Sequence, residues 1–195
     1  ALLTGALEST NHCYALAKIA GLKMCAAYNR QHGTNFLTVM PTNLYGPEDN
    51  FDLETSHVLP ALLRKCHEAK VAGESELSIW GSGTPRREFL HVDDLADACV
   101  YLMNTKNASD LDGHVNIGVG EDLSIRELAE LIQKVVGFEG ELTFDTSMPD
   151  GTPRKLLNVD KMNNLGWKAT RDLESGIADT YAWYLKNQPT PTNAS

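Results

Sequence analysis

Tyr14-Ala-Leu-Ala-Lys18, then Phe36-Leu37-Thr38-Val39-Met40, then Pro41-Thr42-Asn43-Leu44-Tyr45-Gly46-Pro47: this run, in a chain of 195 residues, decides the fold. Apolar residues recur at helical spacing from Asn11 to about His32 (Ala15, Ile19, Leu22, Met24, Cys25). Ser9-Thr10-Asn11 ahead of them offers side-chain oxygens to cap the helix start, and Gly33 is placed to end it. The apolar run closed by Pro41 suits a buried parallel strand, because such strands are covered on both faces and need no polar alternation. Pro41 to Asn50 reads as loop.

The pattern then repeats. His57 to Lys70 predicts a helix, with Pro60 tolerable in its first turn, and Leu77 to Trp80 a strand entering the turn Gly81-Ser-Gly-Thr-Pro85. Glu88 to Val92 reads as a strand, followed by a helix that Asp93 and Asp94 start by capping and by charge against the helix dipole. His114 to Val119 is a strand, and Ser124-Ile-Arg-Glu127 is a capping box opening a regular helix to Val136. A strand from Glu141 to Phe144, a polar loop from Ser147 to Lys155, and short helices carrying Trp167, Trp183 and Tyr184 complete the chain. Strands alternating with helices imply an α/β fold built on a parallel sheet. No strand here leads into G-x-G-x-x-G or G-x-x-G-x-x-G, so the residues contain no dinucleotide fingerprint.

A formal charge of −9 argues against nucleic acid or an anionic membrane as partner, since both select a positive surface. No run of apolar residues approaches the ~18 of a membrane span. Cys13, Cys25, Cys66 and Cys99 are widely separated in helix-like stretches, without zinc or CxxC spacing, and read as reduced core residues with no metal. A cytoplasmic location is the corresponding expectation. Asn107-Ala-Ser109 and Asn193-Ala-Ser195 match a glycosylation tripeptide that matters only in a secreted protein.

Tyr14 and Lys18 lie one helical turn apart on one face. A free phenol titrates near ~10 and is a poor acid–base group at neutral pH, but a neighbouring ammonium favours the phenolate. Such a pair can exchange a proton with a carbinol or ketone. Five residues alone are a weak signal, and a surface tyrosine beside a solvated lysine is the plainer reading. The order of helix, strand and proline-bearing loop changes that, together with His57-Val-Leu-Pro-Ala-Leu, Trp80-Gly-Ser-Gly-Thr-Pro-Arg-Arg-Glu-Phe-Leu-His-Val-Asp-Asp94 and Pro149-Asp-Gly-Thr-Pro-Arg-Lys155.

With these motifs the chain resembles, over almost its whole length, the extended branch of the short-chain dehydrogenase/reductase family. Within that branch it is most similar to the epimerase/reductases that make GDP-L-fucose. The resemblance implies the C-terminal part of a Rossmann-like parallel sheet plus a smaller α/β substrate-binding domain. Residues 1–47 and 88–112 would be the remnant of the dinucleotide-binding domain, and residues 48–87 and 113–195 the nucleotide-sugar domain. It also implies NADPH as cofactor, a GDP-sugar substrate and a homodimer. GDP-4-dehydro-6-deoxy-D-mannose would be epimerised at C3 and C5 and then reduced at C4.

By matching position, the resemblance makes Tyr14 the proton donor to the C4 oxygen and Lys18 the residue that binds the nicotinamide ribose. His57 would be the general acid of the epimerisations and a neighbour of the cofactor. A reference pKa near ~6.5 suits histidine to that work, although a histidine at a helix start also serves as a cap. Pro41, Thr42, Asn43 and Leu44 would line the nicotinamide end. Lys65 and Arg87 would neutralise the diphosphate, the guanidinium with bidentate geometry, and Trp80 would cover apolar surface of the nucleotide. Trp80 is the weakest of the three, since a tryptophan ending a strand is more often a core residue. Arg86, Arg154 and Lys155 add local positive charge and otherwise read as solvated surface.

The family's serine and its cysteine base, in a Ser-x-Cys segment, would precede residue 1, so Cys13 is not that base. The chain is therefore expected to be part of a longer enzyme. Two alternatives stay open: another nucleotide-sugar epimerase or dehydratase of the same branch, separable by an assay for GDP-fucose formation, and a non-catalytic nucleotide-sugar-binding fragment, favoured by the missing fingerprint.

Overall fold

A computed structural model describes residues 5–7 and 11–187, so Ser9, Thr10 and the tripeptide at Asn193 lie outside the described residues. Helix α1 (His12–His32) forms where the apolar spacing places it, and Gly33 closes it in the left-handed conformation at φ 62°. Asn11 makes no side-chain cap bond. Ile19 is the helix's one buried residue, while Tyr14, Leu16, Met24 and Tyr28 are exposed. The C-terminal end ties α1 down: the Asn29 amide donates to the Phe36 carbonyl at 3.0 Å, and Phe36 N–H returns a bond to Asn29 Oδ1 at 2.9 Å.

Strand β1 (Val39–Pro41) is followed after one residue by β2 (Asn43–Tyr45), which corrects the expectation of continuous loop from Pro41 to Asn50. Helix α2 (Val58–Ala72), β3 (Glu76–Trp80), the two-residue β4 (Arg86–Arg87), β5 (Phe89–His91) and α3 (Val92–Thr105) come next. Then follow β6 (Val115–Ile117), β7 (Leu123–Ser124), α4 (Ile125–Val136), β8 (Glu141–Asp145), β9 (Arg154–Lys155), α5 (Asp160–Asn164) and α6 (Leu173–Asn187). The last helix is long, at 15 residues.

Pairing is parallel between β1 and β6, β2 and β5, and β3 and β8. The remaining small sheet has the order β7-β4-β9, with Arg86 opposite Arg154 and Arg87 opposite Lys155. This is an α/β arrangement with parallel strands. Two apolar clusters hold it. One packs Leu59, Leu62, Leu63 and Cys66 of α2 against Leu128, Ala129, Ile132 and Val136 of α4 and Ile177 and Tyr184 of α6. The other joins Leu90, Ala98, Leu102, Val115, Ile117, Met162 and Trp167. Each aliphatic side chain so buried contributes about 1.5–3 kcal/mol relative to leaving it in water.

The capping box at Ser124 forms as its spacing predicts: Ser124 Oγ accepts from Glu127 N–H, and the Glu127 carboxylate accepts from Ser124 N–H. Asp93 and Asp94 lie inside the first turn of α3, and the cap is His91, whose Nδ1 accepts from Asp93 N–H at 3.2 Å. Asp94 instead accepts from the Thr170 and Arg171 backbone amides, fixing the approach to α6. All four cysteines are free, but only Cys66 is a core residue; Cys13 is exposed on the open face of α1. Among the described residues no helix is long and apolar enough to cross a membrane. Nor does any group of three or more His, Cys, Asp or Glu there form a metal site.

Candidate functional site

The helical spacing of Tyr14 and Lys18 places the Lys18 ammonium 5.4 Å from the centroid of the Tyr14 ring. The phenol is 60% exposed, so the pair is open to a ligand. Strand β1 leads from this helix to the segment Pro41–Leu44, whose polar groups are largely engaged. Thr42 N–H donates to the Ile117 carbonyl at 3.0 Å, and the Thr42 hydroxyl and Asn43 amide both donate to the Glu88 carbonyl, at 3.3 and 2.7 Å. These bonds narrow what the segment offers a nicotinamide to the surface they leave free.

His57 is the N-cap residue of α2, yet its side chain makes no capping bond. The ring is exposed, which leaves it available for other work. Burial pushes the neighbouring Asp49 carboxyl above its ordinary range, opposed by the Asn50 N–H and by His57.

Val58, next to His57, lines a cavity of about 170 Å³ together with Trp80, Gly83, Pro85, Arg87, Ile125, Pro149, Asp150 and Gly151. Trp80 is 65% exposed, so it is not the core residue that a strand-ending tryptophan suggests. The Lys65 ammonium lies 4.9 Å from the Trp80 ring centroid, a cation–π contact. Lys65, Trp80 and Arg87 are therefore one cluster, with His57 adjoining through Val58. Tyr14 and Lys18 are carried separately by α1.

The small sheet sorts the cations by its pleat, since strand residues alternate between faces. Arg86 and Arg154, opposite one another, both bind Asp122, whose side chain is only 4% exposed. They are ion-pair partners of one carboxylate, with side chains still 42% and 60% exposed. Arg87, one position along, donates to the Arg86 carbonyl and faces the cavity, where burial lowers its guanidinium from the ordinary value. Bonds first from Arg154 and then from Arg86 hold the Asp122 carboxyl below the usual aspartate range. A depressed folded-state pKa contributes stability above the unfolded value and loses it as pH falls through the folded one. Asp122→Asn should therefore lower the melting temperature at pH 7, with the gap to the parent closing as pH falls below about 4. A pH-independent gap would show that charge is not what Asp122 supplies.

Three residues without a role in the sequence reading stand here: Glu88, Asp122 and Asp150. Asp150 accepts from Ser82 N–H at 2.9 Å and the Ser82 hydroxyl at 2.7 Å, and so fixes the turn under Trp80. The Pro-Asp-Gly sequence signals a turn there but not its partner.

The larger cavity, about 290 Å³, lies between α1 and β1 and is lined by Leu22, Ala26, Arg30, Phe36, Leu37 and His114 among others. It shares no residue with the cluster. Tyr14 and Lys18 present an exposed phenol and a nearby ammonium on the helix that precedes the Pro41 segment. No glycine-rich strand-to-helix turn for the pyrophosphate occurs among these residues.

Residues 1–118 match the family model described as the NAD dependent epimerase/dehydratase family. The chain is 59% identical over 187 residues to GDP-L-fucose synthase 1 of Arabidopsis thaliana, covering 96% of itself and 57% of that protein. Among solved structures, a GDP-L-fucose synthetase from Naegleria fowleri bound to NADP superposes with TM-score 0.86 at 34% identity, over 95% of this chain and 59% of that one. A GDP-6-OMe-4-keto-L-xylo-heptose reductase from C. jejuni superposes with TM-score 0.89 at 40% identity, over 95% and 64%. The chain thus spans less than two thirds of these relatives' lengths.

Proposed function

The chain belongs to the NAD dependent epimerase/dehydratase family, and from that premise we propose that it is the substrate-binding and proton-transfer portion of a GDP-L-fucose synthase. The complete enzyme converts GDP-4-dehydro-6-deoxy-D-mannose to GDP-L-fucose in the cytoplasm, as a homodimer, by 3,5-epimerisation followed by NADPH-dependent 4-reduction. The observation that carries this reading is the cavity uniting Trp80 and Arg87 with the start of α2, beside Lys65. The similarity to the Arabidopsis synthase supports it. Residues 1–47 and 88–112 form the dinucleotide-binding part and residues 48–87 and 113–195 the nucleotide-sugar part, with β6 and α5 packing across onto the former.

Arg87 presents a planar fork to the diphosphate from a partly desolvated position, where its attraction is screened less than at the surface. Lys65 adds a second cation, and Trp80 offers its open face to the nucleotide. His57, free of capping, delivers protons to the enolate carbons at C3 and C5, opposite a base that the rest of the enzyme supplies. Tyr14 protonates the C4 oxygen, with Lys18 favouring the phenolate that remains and binding the ribose. Pro41, Thr42, Asn43, Leu44 and His57 border the nicotinamide. NADPH, when bound, supplies the hydride.

Arg87→Ala should weaken GDP binding about 10–100-fold, the range for losing charged hydrogen bonds, and Arg87→Lys should fall between because it keeps charge but not the fork. Calorimetric titration with GDP measures it. Unchanged affinity in Arg87→Ala would remove the cavity from the substrate site.

The alternative of another GDP-sugar reductase is favoured by the similarity to the heptose reductase. It would reduce C4 without carrying out exchange at both C3 and C5.

A further inference from the structure

We infer that Glu88 is a positioning residue whose carboxylate ties the Val119–Gly120 segment and the chain at Leu157 to the anion-binding strand, and so sets GDP-sugar affinity without touching the ligand. The inference rests on the GDP-sugar reading of the cavity. Glu88 lies between Arg87 and Phe89, and its side chain is fully buried. One carboxylate oxygen, Oε1, accepts from the Val119 and Gly120 amides, each at 2.7 Å. The other, Oε2, accepts from Leu157 N–H at 3.0 Å. No lysine, arginine or histidine pairs with it among the described residues; backbone dipoles alone meet its charge.

The same residue's carbonyl receives the Asn43 amide and the Thr42 hydroxyl. Besides Val119–Gly120, three segments therefore meet at one residue. The first is Thr42–Asn43 on the cofactor side. The second is β4 with Arg87. The third is the chain leaving β9, two residues past Lys155, which pairs with Arg87. Gly118 closes the cradle so tightly that a Cβ there would collide with the Glu88 carboxylate.

A buried charge is costly to keep, and an apolar core is the cheaper way to stabilise a fold. What the carboxylate adds is direction: three amides converging on two oxygens fix where two loops sit relative to one strand. Arg87 inherits that placement because it is the next residue in the chain.

Glu88→Gln keeps the shape but turns an amide toward amides, so one cradle bond becomes a clash of donors. Gly118→Ala displaces the same carboxylate without changing its charge. GDP titrated into the parent chain, both single variants and the double variant reads the effect, with melting temperature recorded alongside. Each single variant should bind GDP about tenfold more weakly, and the double variant no more weakly than either, because both disturb one cradle. If Glu88→Gln does not fold, Gly118→Ala carries the test by itself. A lowered melting temperature with GDP affinity intact would overturn the role, as would losses that multiply in the double variant. A parent chain that does not bind GDP overturns the functional reading first, and this role with it.

Discussion

On the proposed function, Tyr14→Phe should lower the rate of C4 reduction by about 10²–10⁴-fold in the complete enzyme while proton exchange at C3 and C5 continues. The loss corresponds to roughly 3–5 kcal/mol of barrier. The reason is specific to the last step. As C4 is reduced its oxygen gathers negative charge, and a phenol one turn from an ammonium is the group this chain offers to protonate it. Phenylalanine keeps the ring and removes the proton. The side chain is 60% exposed in this chain and belongs to neither of its apolar clusters, and the melting temperature of the variant, recorded alongside, should be unchanged. NADPH consumption measures the reduction, and deuterium incorporation from heavy water measures the exchange. Equal loss of both would show that Tyr14 does not serve reduction alone.

His57→Asn produces the complementary pattern. Epimerisation slows by about 10²–10⁴-fold, while reduction of an already epimerised ketone is spared. Asparagine cannot deliver a proton near neutrality, but it is a favoured N-cap residue. His57 occupies the N-cap of α2 without making a capping bond, so the substitution should leave the melting temperature unchanged or raise it. The two readouts separate chemistry from folding. An unchanged exchange rate would return His57 to the role of a helix-start residue.

These two positions also show what the sequence could reveal. Tyr14 and Lys18 are visible because helix periodicity alone puts them together, and the capping box at Ser124 is visible for the same local reason. Strand β2 was hidden between Pro41 and Gly46, since three residues carry too little pattern and its partner, β5, is far along the chain. The cations could be counted but not sorted. Arg86 and Arg87 are neighbours in sequence, and only the register of β4 against β9 assigns one to Asp122 and the other to the cavity. Trp80, at the end of a strand, read more readily as core, and only its 65% exposure beside Lys65 places it at the surface. Glu88 and Asp122 gave no signal, because their partners arrive from segments remote in sequence.

On the proposed function, Lys65, Trp80 and Arg87 would hold one substrate class, and His57 and Tyr14 would divide its chemistry. The most direct measurement follows GDP-4-dehydro-6-deoxy-D-mannose through the complete enzyme in heavy water with NADPH, with the product analysed by NMR. The expected result is GDP-L-fucose carrying deuterium at both C3 and C5. A product reduced at C4 but bearing no deuterium at either carbon would contradict it, and would make the protein a C4 reductase in which His57 transfers no proton.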